Sequence, residues 1–243
     1  GQNRNSGSHS IISGRRCGMN ERYGAVIPAL NAGKHLQAVL EDVKRFLPPT
    51  NIVVVDDGST DDTVAAARRS CVKIISHPEN RGKGEALKTG CAHLAFKDGI
   101  DAVFTLDADG QHAPDEIPAF VRVYEEEGPG IIIGNRMGST EGMPLIRKLT
   151  NRFTSAVISM RAGTRIDDSQ SGYRLIGAGI LREIDLVTSR YETESEILIK
   201  AAKKGAKISS VPIRTIYADE QSTIHPVRDT IRFFILVFRS FFW

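Results

Sequence analysis

Apolar positions over residues 20–112 fall into blocks of two kinds. Residues 23–29 (Y-G-A-V-I-P-A), 52–55 (I-V-V-V), 72–76 and 103–106 (V-F-T-L) are compact apolar runs rich in β-branched residues, as expected of strands buried on both faces. Between them the spacing changes. Leu36, Val39, Leu40 and Val43 recur at helical intervals and predict a helix over about 35–46, stopped by Pro48-Pro49. Further helices are predicted over 63–70 and about 85–97, with a loop at 77–84. The later part predicts a helix over about 114–127, a strand at 131–134, a loop at 138–142 and a basic helix over about 144–160. A polar turn follows at 167–174 (D-D-S-Q-S-G-Y-R), then a short apolar stretch. A helix over 194–204, stopped by Gly205, and a strand over 207–214 complete the pattern.

Short apolar strands alternating with helices predict an α/β chain with a mostly parallel sheet covered on both faces. Residues 20–225 contain no internal repeat or linker and read as one domain. In such sheets ligands bind beyond the carboxyl ends of the strands. Three polar loops fall at those ends: P-A-L-N at 28–31, D-D-G-S-T-D-D at 56–62 and D-A-D-G-Q at 107–111.

The third loop carries the strongest chemistry. Asp107 and Asp109 put hard oxygen ligands at a sheet rim, where carboxylates are costly without a neutralising cation. Carboxylates beside a turn-freeing glycine suit Mg2+ or Mn2+ shared with substrate phosphates. An EF-hand loop is excluded, because Gly110 is fourth and Pro118 twelfth where a glycine sixth and an acid twelfth are required. An aspartyl-phosphate phosphatase also carries D-x-D after a strand and stays open, as does a purely structural D-x-D. Asp56 or Asp57 exceeds what capping a helix requires and is assigned to a base or ribose, while Ser59–Asp62 fits capping equally well. Residues 81–84 (R-G-K-G) match neither glycine-rich nucleotide fingerprint; they predict a flexible loop that lays Lys83 near a phosphate, against a plain loop with a solvated lysine. Arg136 follows an apolar strand and has the planar fork that suits phosphate. Arg147, Lys148 and Arg152 make the next helix basic, and a solvated face explains Lys148 equally well. His112 adjoins the acidic loop and is not assigned as a ligand.

Composition narrows the setting. The 243 residues are 41% hydrophobic, enough for one large domain or two small ones, and the net charge of +3 gives no reason to expect nucleic acid. Cys17, Cys71 and Cys91 form no C-x-x-C pair, which argues against a disulfide framework or zinc site and fits a cytoplasmic location. Residues 1–19 are polar, lack the apolar run of a secretory signal and read as a disordered leader.

Taken in order, V-I-P-A-L-N, V-V-V-D-D-G-S-T-D, N-R-G-K-G-E-A, L-D-A-D-G-Q-H, I-G-N-R, M-P-L-I-R, D-S-Q-S-G-Y-R and S-T-I-H-P-V-R-D-T-I-R-F resemble the family 2 glycosyltransferases of GT-A fold. The nearest branch resembles dolichyl-phosphate mannose synthase and bacterial polyprenyl-phosphate glycosyltransferases. The resemblance implies a Rossmann-like three-layer sandwich and inverting transfer of a hexose from a GDP- or UDP-linked donor to a lipid phosphate. It implies that Asp107, Asp109 and Gln111 hold Mg2+ or Mn2+ against the donor diphosphate, with Asp109, Arg136 and Glu194 as the catalytic groups. Pro28, Ala29, Asn31, Asp56, Asp57, Lys83 and Asp107 would line the nucleotide site, and Arg136 and Arg147 would bind the acceptor phosphate. Such an acceptor is already anionic. In relatives acting on a sugar hydroxyl a carboxylate is the base, and Glu194 or Glu196 stands in that region. Two departures bear on the acceptor and donor: Ser222 is followed by Thr223 where relatives often carry lysine, and Ala32 replaces a frequent glutamate. A nucleotide-sugar-binding module without catalysis is the alternative from another class.

The last segment, 226–243, supplies a separate argument. It is apolar and aromatic at its end but too short to span a bilayer. On a helix Arg228, Arg232 and Arg239 fall on one stripe beside an apolar face, the pattern of a helix lying in a membrane interface. A helix docked on the core or on a second subunit is the other reading. The first places the enzyme peripherally on the cytoplasmic face of a membrane.

Overall fold

The computed structural model describes residues 21–138, 145–214, 216 and 226–243, apart from the side chains of Arg147, Pro226 and Val227. The expected leader, most of the 138–142 loop and the S-T-I-H loop lie outside these residues. The elements run β1 (Tyr23–Ala29), α1 (Leu36–Val43), β2 (Ile52–Asp56), α2 (Thr63–Arg69), β3 (Lys73–Ser76), α3 (Lys83–Ala95), β4 (Ala102–Thr105) and α4 (Ile117–Glu127). They continue with β5 (Gly130–Asn135), α5 (Leu145–Ala162), β6 (Arg174–Gly177), α6 (Ala178–Glu183), α7 (Glu192–Lys203), β7 (Lys207–Pro212) and α8 (Pro226–Arg239).

The strands form one seven-stranded sheet in the order β3-β2-β1-β4-β6-β5-β7. Only β6 runs against the others, pairing antiparallel with both β4 and β5. The two-residue period of the strands divides their side chains between two packed layers. Ala25, Ile27, Val54 and Phe104 join α1, α2 and α4 on one face. Val26, Val53, Val55 and Val103 join α3 on the other, and Ile131, Ile133 and Ile176 meet α5 and α7. This is the expected α/β sandwich with a mostly parallel sheet.

Two differences from the sequence reading matter for the site. The short apolar stretch after the 167–174 turn is strand β6 and begins at Arg174, so the D-D-S-Q-S-G-Y turn leads straight into the middle of the sheet. Lys83 lies in the first turn of α3 rather than in a flexible loop. A Cβ on Gly84 would stand 2.0 Å from Thr193 Oγ1 and 2.5 Å from the Ser189 carbonyl carbon. Glycine there lets the start of α3 lie against residues 189–193, and the Glu85 N–H donates to the Ser189 carbonyl at 3.0 Å.

The C-terminal helix packs one face on the core and leaves the other exposed. Leu236 and Ser240 are buried, and Phe233 and Trp243 join the cluster with α5 and α7. Arg161 donates to the Ser240 carbonyl at 2.7 Å, and Lys203 donates to the Ser240 and Trp243 carbonyls, each at 2.9 Å. The opposite face carries Ile231, Phe234, Ile235 and Phe238 into solvent. Among the described residues no helix is long and apolar enough to cross a membrane.

Candidate active site

The ends of β1 and β2 are stitched together by the polar residues that follow them. Asn31, held at φ 51°, accepts the Thr60 N–H at 2.9 Å through Oδ1, and its own N–H donates to Ser59 Oγ at 2.9 Å. Asp61 accepts the Gly33 N–H at 2.9 Å and the Thr63 N–H at 3.0 Å. Burial alone would raise the Asp61 pKa, but these hydrogen bonds and that of the Thr63 hydroxyl hold it below the ordinary carboxylate value. Pro28 and Ala29 sit in register with Val55 and Asp56 at the rim.

Asp56 at the end of β2 and Asp57 directly after it are both buried and both engaged. Asp56 accepts the Ser59 N–H at 3.0 Å. Asp57 meets His77 Nδ1 at 2.7 Å and the Arg81 N–H at 3.0 Å through Oδ1, and the Gly82 N–H at 2.7 Å through Oδ2. Asp57 therefore holds the 77–82 loop, and both of its oxygens have partners within the chain.

The centre of the site lies where β4 and β6 deliver their flanking loops. Lys83 Nζ stands 2.6 Å from Asp107 Oδ1 and 2.8 Å from Glu194 Oε1, linking the D-x-D loop, α3 and the first turn of α7. Asp107 is also held from behind. Its N–H donates to His112 Nδ1 at 3.1 Å, while His112 Nε2 stands 3.7 Å from Asp107 Oδ2, and the imidazole stacks on Tyr173 with ring centroids 5.0 Å apart. Burial opposes charge on both Lys83 and Asp107. For Lys83 the charges of Asp107 and Glu194 overcome it, so the ammonium pKa is raised. For Asp107 the charges of Lys83, His112 and Arg136 overcome it, and the carboxyl is held well below its ordinary value.

Gly172 makes this cluster possible. A Cβ there would lie 2.9 Å from Asp107 Oδ2 and 3.3 Å from Glu194 Oε1. The Gly172 carbonyl is fixed by the Thr105 hydroxyl at 2.6 Å, so the backbone has little room to retreat. Gly172→Ala is expected to cost about 1–3 kcal/mol of stability by overpacking and to push Asp107 off Lys83. Thermal denaturation and nucleotide binding of the variant check both effects; unaltered nucleotide binding would contradict the second.

A second charged group borders the first. The Arg136 N–H and Nε donate to Asp168 Oδ2 at 3.1 and 2.9 Å, and Nη2 donates to Oδ1 at 3.0 Å. Asn151 adds a 2.9 Å hydrogen bond to the same carboxylate, which is fully buried. Behind both groups lies Arg174, 1% exposed, whose guanidinium donates to the carbonyls of Ser171 at 2.8 Å, Glu194 at 2.6 Å and Ser169 at 2.9 Å. It ties the 169–171 turn to α7. Burial lowers its pKa against the attraction of Glu194 and Asp168.

The two glutamates left open by the sequence part company. Glu194 reaches Lys83, whereas Glu196 is fully buried and turned away. Glu196 accepts from the Thr188 hydroxyl at 2.6 Å and from the Thr188 N–H at 2.9 Å, and pairs with Lys200 at 2.7 Å. It shapes the 187–188 turn that precedes α7.

The acidic loop suits a cation that is shared with a ligand. Among the described residues no three His, Cys, Asp or Glu side chains converge on a protein-only metal cage. Asp109 Oδ1 accepts the Gln111 N–H at 2.9 Å, which leaves Oδ2 without a partner among the described residues. A pair of carboxylates one residue apart is the donor set Mg2+ uses when phosphate oxygens and water complete its shell. The Gln111 carbonyl accepts the Ile216 N–H at 3.3 Å, and its side chain has no described contact. Arg147 lies in the first turn of α5, and its side chain is outside the described residues.

The arrangement is thus a rim with paired carboxylates, a lysine between them and a fixed arginine alongside, built on a mostly parallel sheet. Residues 25–185 match the model of Glycosyl transferase family 2. The chain belongs to that family. Among relatives of this glycosyltransferase, the UDP-N-acetylglucosamine–dolichyl-phosphate N-acetylglucosaminyltransferase of Methanococcus voltae is 33% identical over 80% of this chain and 85% of its own. The dolichol-phosphate mannosyltransferase of Pyrococcus furiosus is 30% identical over 79% of this chain and 55% of its own. Glucosyl-3-phosphoglycerate synthase from Mycobacterium tuberculosis, solved with UDP, superposes with a TM-score of 0.72 at 20% identity, over 93% of this chain and 82% of its own. The family 2 enzyme therefore has the GT-A fold.

His112, Asp168, Gly172 and Arg174 take parts in the site that residue type alone does not assign to them. The D-D-S-Q-S-G-Y-R turn was the available signal for three of them.

Proposed function

We propose that this enzyme transfers a hexose, with inversion, from a UDP- or GDP-linked donor to a polyprenyl or dolichyl phosphate. The observation that carries the proposal is the junction of Lys83, Asp107 and Glu194 beside the Arg136–Asp168 pair. Lys83 and Arg136 both act on the charge of Asp107, which supports donor and acceptor phosphates meeting at the acidic loop. The M. voltae relative, a dolichyl-phosphate N-acetylglucosaminyltransferase, and the P. furiosus relative, a dolichol-phosphate mannosyltransferase, support the lipid phosphate.

In this reading a phosphate oxygen of the acceptor attacks the anomeric carbon while the bond to the donor diphosphate breaks. Asp107 and Asp109, with Gln111, would hold Mg2+ or Mn2+, which as a Lewis acid supplies stabilisation of the departing nucleoside diphosphate. Mn2+, UDP and glucosyl-3-phosphoglycerate occur together in one solved structure of glucosyl-3-phosphoglycerate synthase. Pro28, Ala29, Asn31 and Asp56 border the nucleotide, and Asp57 serves it through the 77–82 loop it holds. Arg136, kept in orientation by Asp168, and Arg147 receive the acceptor phosphate. A lipid phosphate arrives ionised and needs no base, whereas a hydroxyl acceptor would call on Glu194, whose Oε1 pairs with Lys83 at 2.8 Å. Transfer of labelled sugar from UDP- and GDP-hexoses to polyprenyl phosphate tests the reading. Product only with hydroxyl acceptors would overturn it.

The same reading puts the enzyme on a membrane surface. Ile231, Phe234 and Phe238 of α8 are exposed beside Arg228 and Arg239, and the neighbouring α5 exposes Leu145, Ile146, Leu149 and Phe153. Exposed apolar faces edged with arginine suit an interface with anionic lipid. Replacing Ile231, Phe234 and Phe238 with serine leaves the buried face of α8 intact. The variant is expected to keep its fold by circular dichroism and lose flotation with anionic liposomes. Equal flotation would count against the membrane, and a lower mass in solution would identify a second copy of the chain as the cover.

A further inference from the structure

We propose that Lys83 is the resident countercharge of the donor-free site and makes divalent-cation binding depend on the donor. This rests on the metal-assisted transfer reading above and adds the order in which the site is filled. Asp107 and Glu194 both bring oxygens within 3.3 Å of one point beside Gly172. Two carboxylates so close repel each other unless a cation lies between them. Lys83 is that cation, 2.6 Å from one and 2.8 Å from the other, with its side chain 21% exposed.

Its mobility is confined to the side chain. The backbone at Gly82 and Gly84 is pressed against residues 189–193, where a Cβ would meet carbonyl atoms at 2.6 and 2.5 Å. The four-carbon stem, by contrast, can carry a compact ammonium from one oxygen to another by changing rotamer. Tyr191 lies beside that path, with the ammonium 5.8 Å from its ring centroid.

A cation approaching Asp107 without donor meets an oxygen already taken and a positive charge at contact distance. A diphosphate changes both conditions. It draws the Lys83 ammonium toward its own oxygens, frees Asp107 Oδ1 and supplies further ligands. Cation and nucleoside diphosphate then raise each other's affinity by the same factor, as linkage requires. Lys83 acts here as a positioning residue that reserves the acidic loop for a cation arriving with its phosphate partner.

The test is Mn2+ binding, read from the electron paramagnetic resonance of the free ion, with the full chain and with UDP, GDP or no nucleotide. Wild type is expected to bind Mn2+ at least about tenfold more tightly with the nucleotide it accepts than without. Lys83→Met is expected to bind Mn2+ alone at least about tenfold more tightly than wild type and to lose most of the coupling. Lys83→Arg, which keeps the charge, is expected to bind Mn2+ alone as weakly as wild type. Equal Mn2+ affinity of wild type and Lys83→Met without nucleotide overturns the proposal. The metal reading survives that result if nucleotide-dependent binding persists and disappears in Asp107→Ala. No Mn2+ binding to any form with either nucleotide overturns both. Wild type alone gives a check that does not depend on a variant folding: a mutual enhancement of Mn2+ and nucleotide below about threefold also overturns the proposal.

Discussion

Asp168→Ala is expected to destabilise the chain by about 3–5 kcal/mol, because it leaves the Arg136 guanidinium largely buried without its carboxylate. The side chain of Asp168 is fully buried and that of Arg136 is 14% exposed, so solvent can repair little of the loss. For a chain of this size the melting temperature should fall by on the order of 10 °C. The pair also sets a pH dependence. Burial pushes the Asp168 pKa up, but the hydrogen bonds and charge of Arg136, with Asn151, hold it below its ordinary value. A depressed folded value stabilises the native state above the unfolded carboxylate value of about 4. That contribution disappears as pH falls through the folded value. Asp168→Asn should remove this part of the acid sensitivity, measurable as a flatter dependence of melting temperature on pH below about 5. A melting temperature within a degree or two of wild type for Asp168→Ala would contradict the account of the pair.

Asp107→Ala should have the larger effect on activity and the smaller one on stability. The side chain is 27% exposed, and its removal leaves Lys83 with Glu194 and solvent. If Asp107 carries the cation, several kcal/mol of charge stabilisation in the transition state are lost, equivalent to about 10³-fold in rate. Measured initial rates at saturating donor, beside melting curves of the same preparation, separate the two effects. A fall below about tenfold would remove Asp107 from the metal role.

Much of the fold's first half was legible because β1, β2 and β4 are buried on both faces. The run 52–55 has no polar position to blur it, and Asp56-Asp57-Gly58 directly after it marks the rim. Strand β6 was not legible. It has four residues and begins with a fully buried arginine, which no apolar period marks as sheet. Lys83 is hard to place for a related reason: G-K-G reads as loop by composition, whereas the helix begins at Lys83 with Gly82 and Gly84 packed against residues 189–193, remote in sequence. Residue type gave the chemistry of Asp57 and Glu196 but not its direction. Both point toward turns of the chain itself, a choice made by tertiary packing. The stripe of exposed apolar residues on α5 was hidden in the sequence by the arginines and lysine interleaved with it.

The role proposed for the acidic loop and Lys83 is sugar transfer from a nucleotide donor to a lipid phosphate. The most direct measurement is formation of lipid-linked sugar from UDP- or GDP-hexose and polyprenyl phosphate, with Mn2+ or Mg2+ and with chelator. The account predicts a glycosylated lipid phosphate with one donor nucleotide, abolished by chelator and by Asp109→Ala. Donor binding without product under every lipid acceptor, or product formation that chelator leaves unchanged, would contradict it.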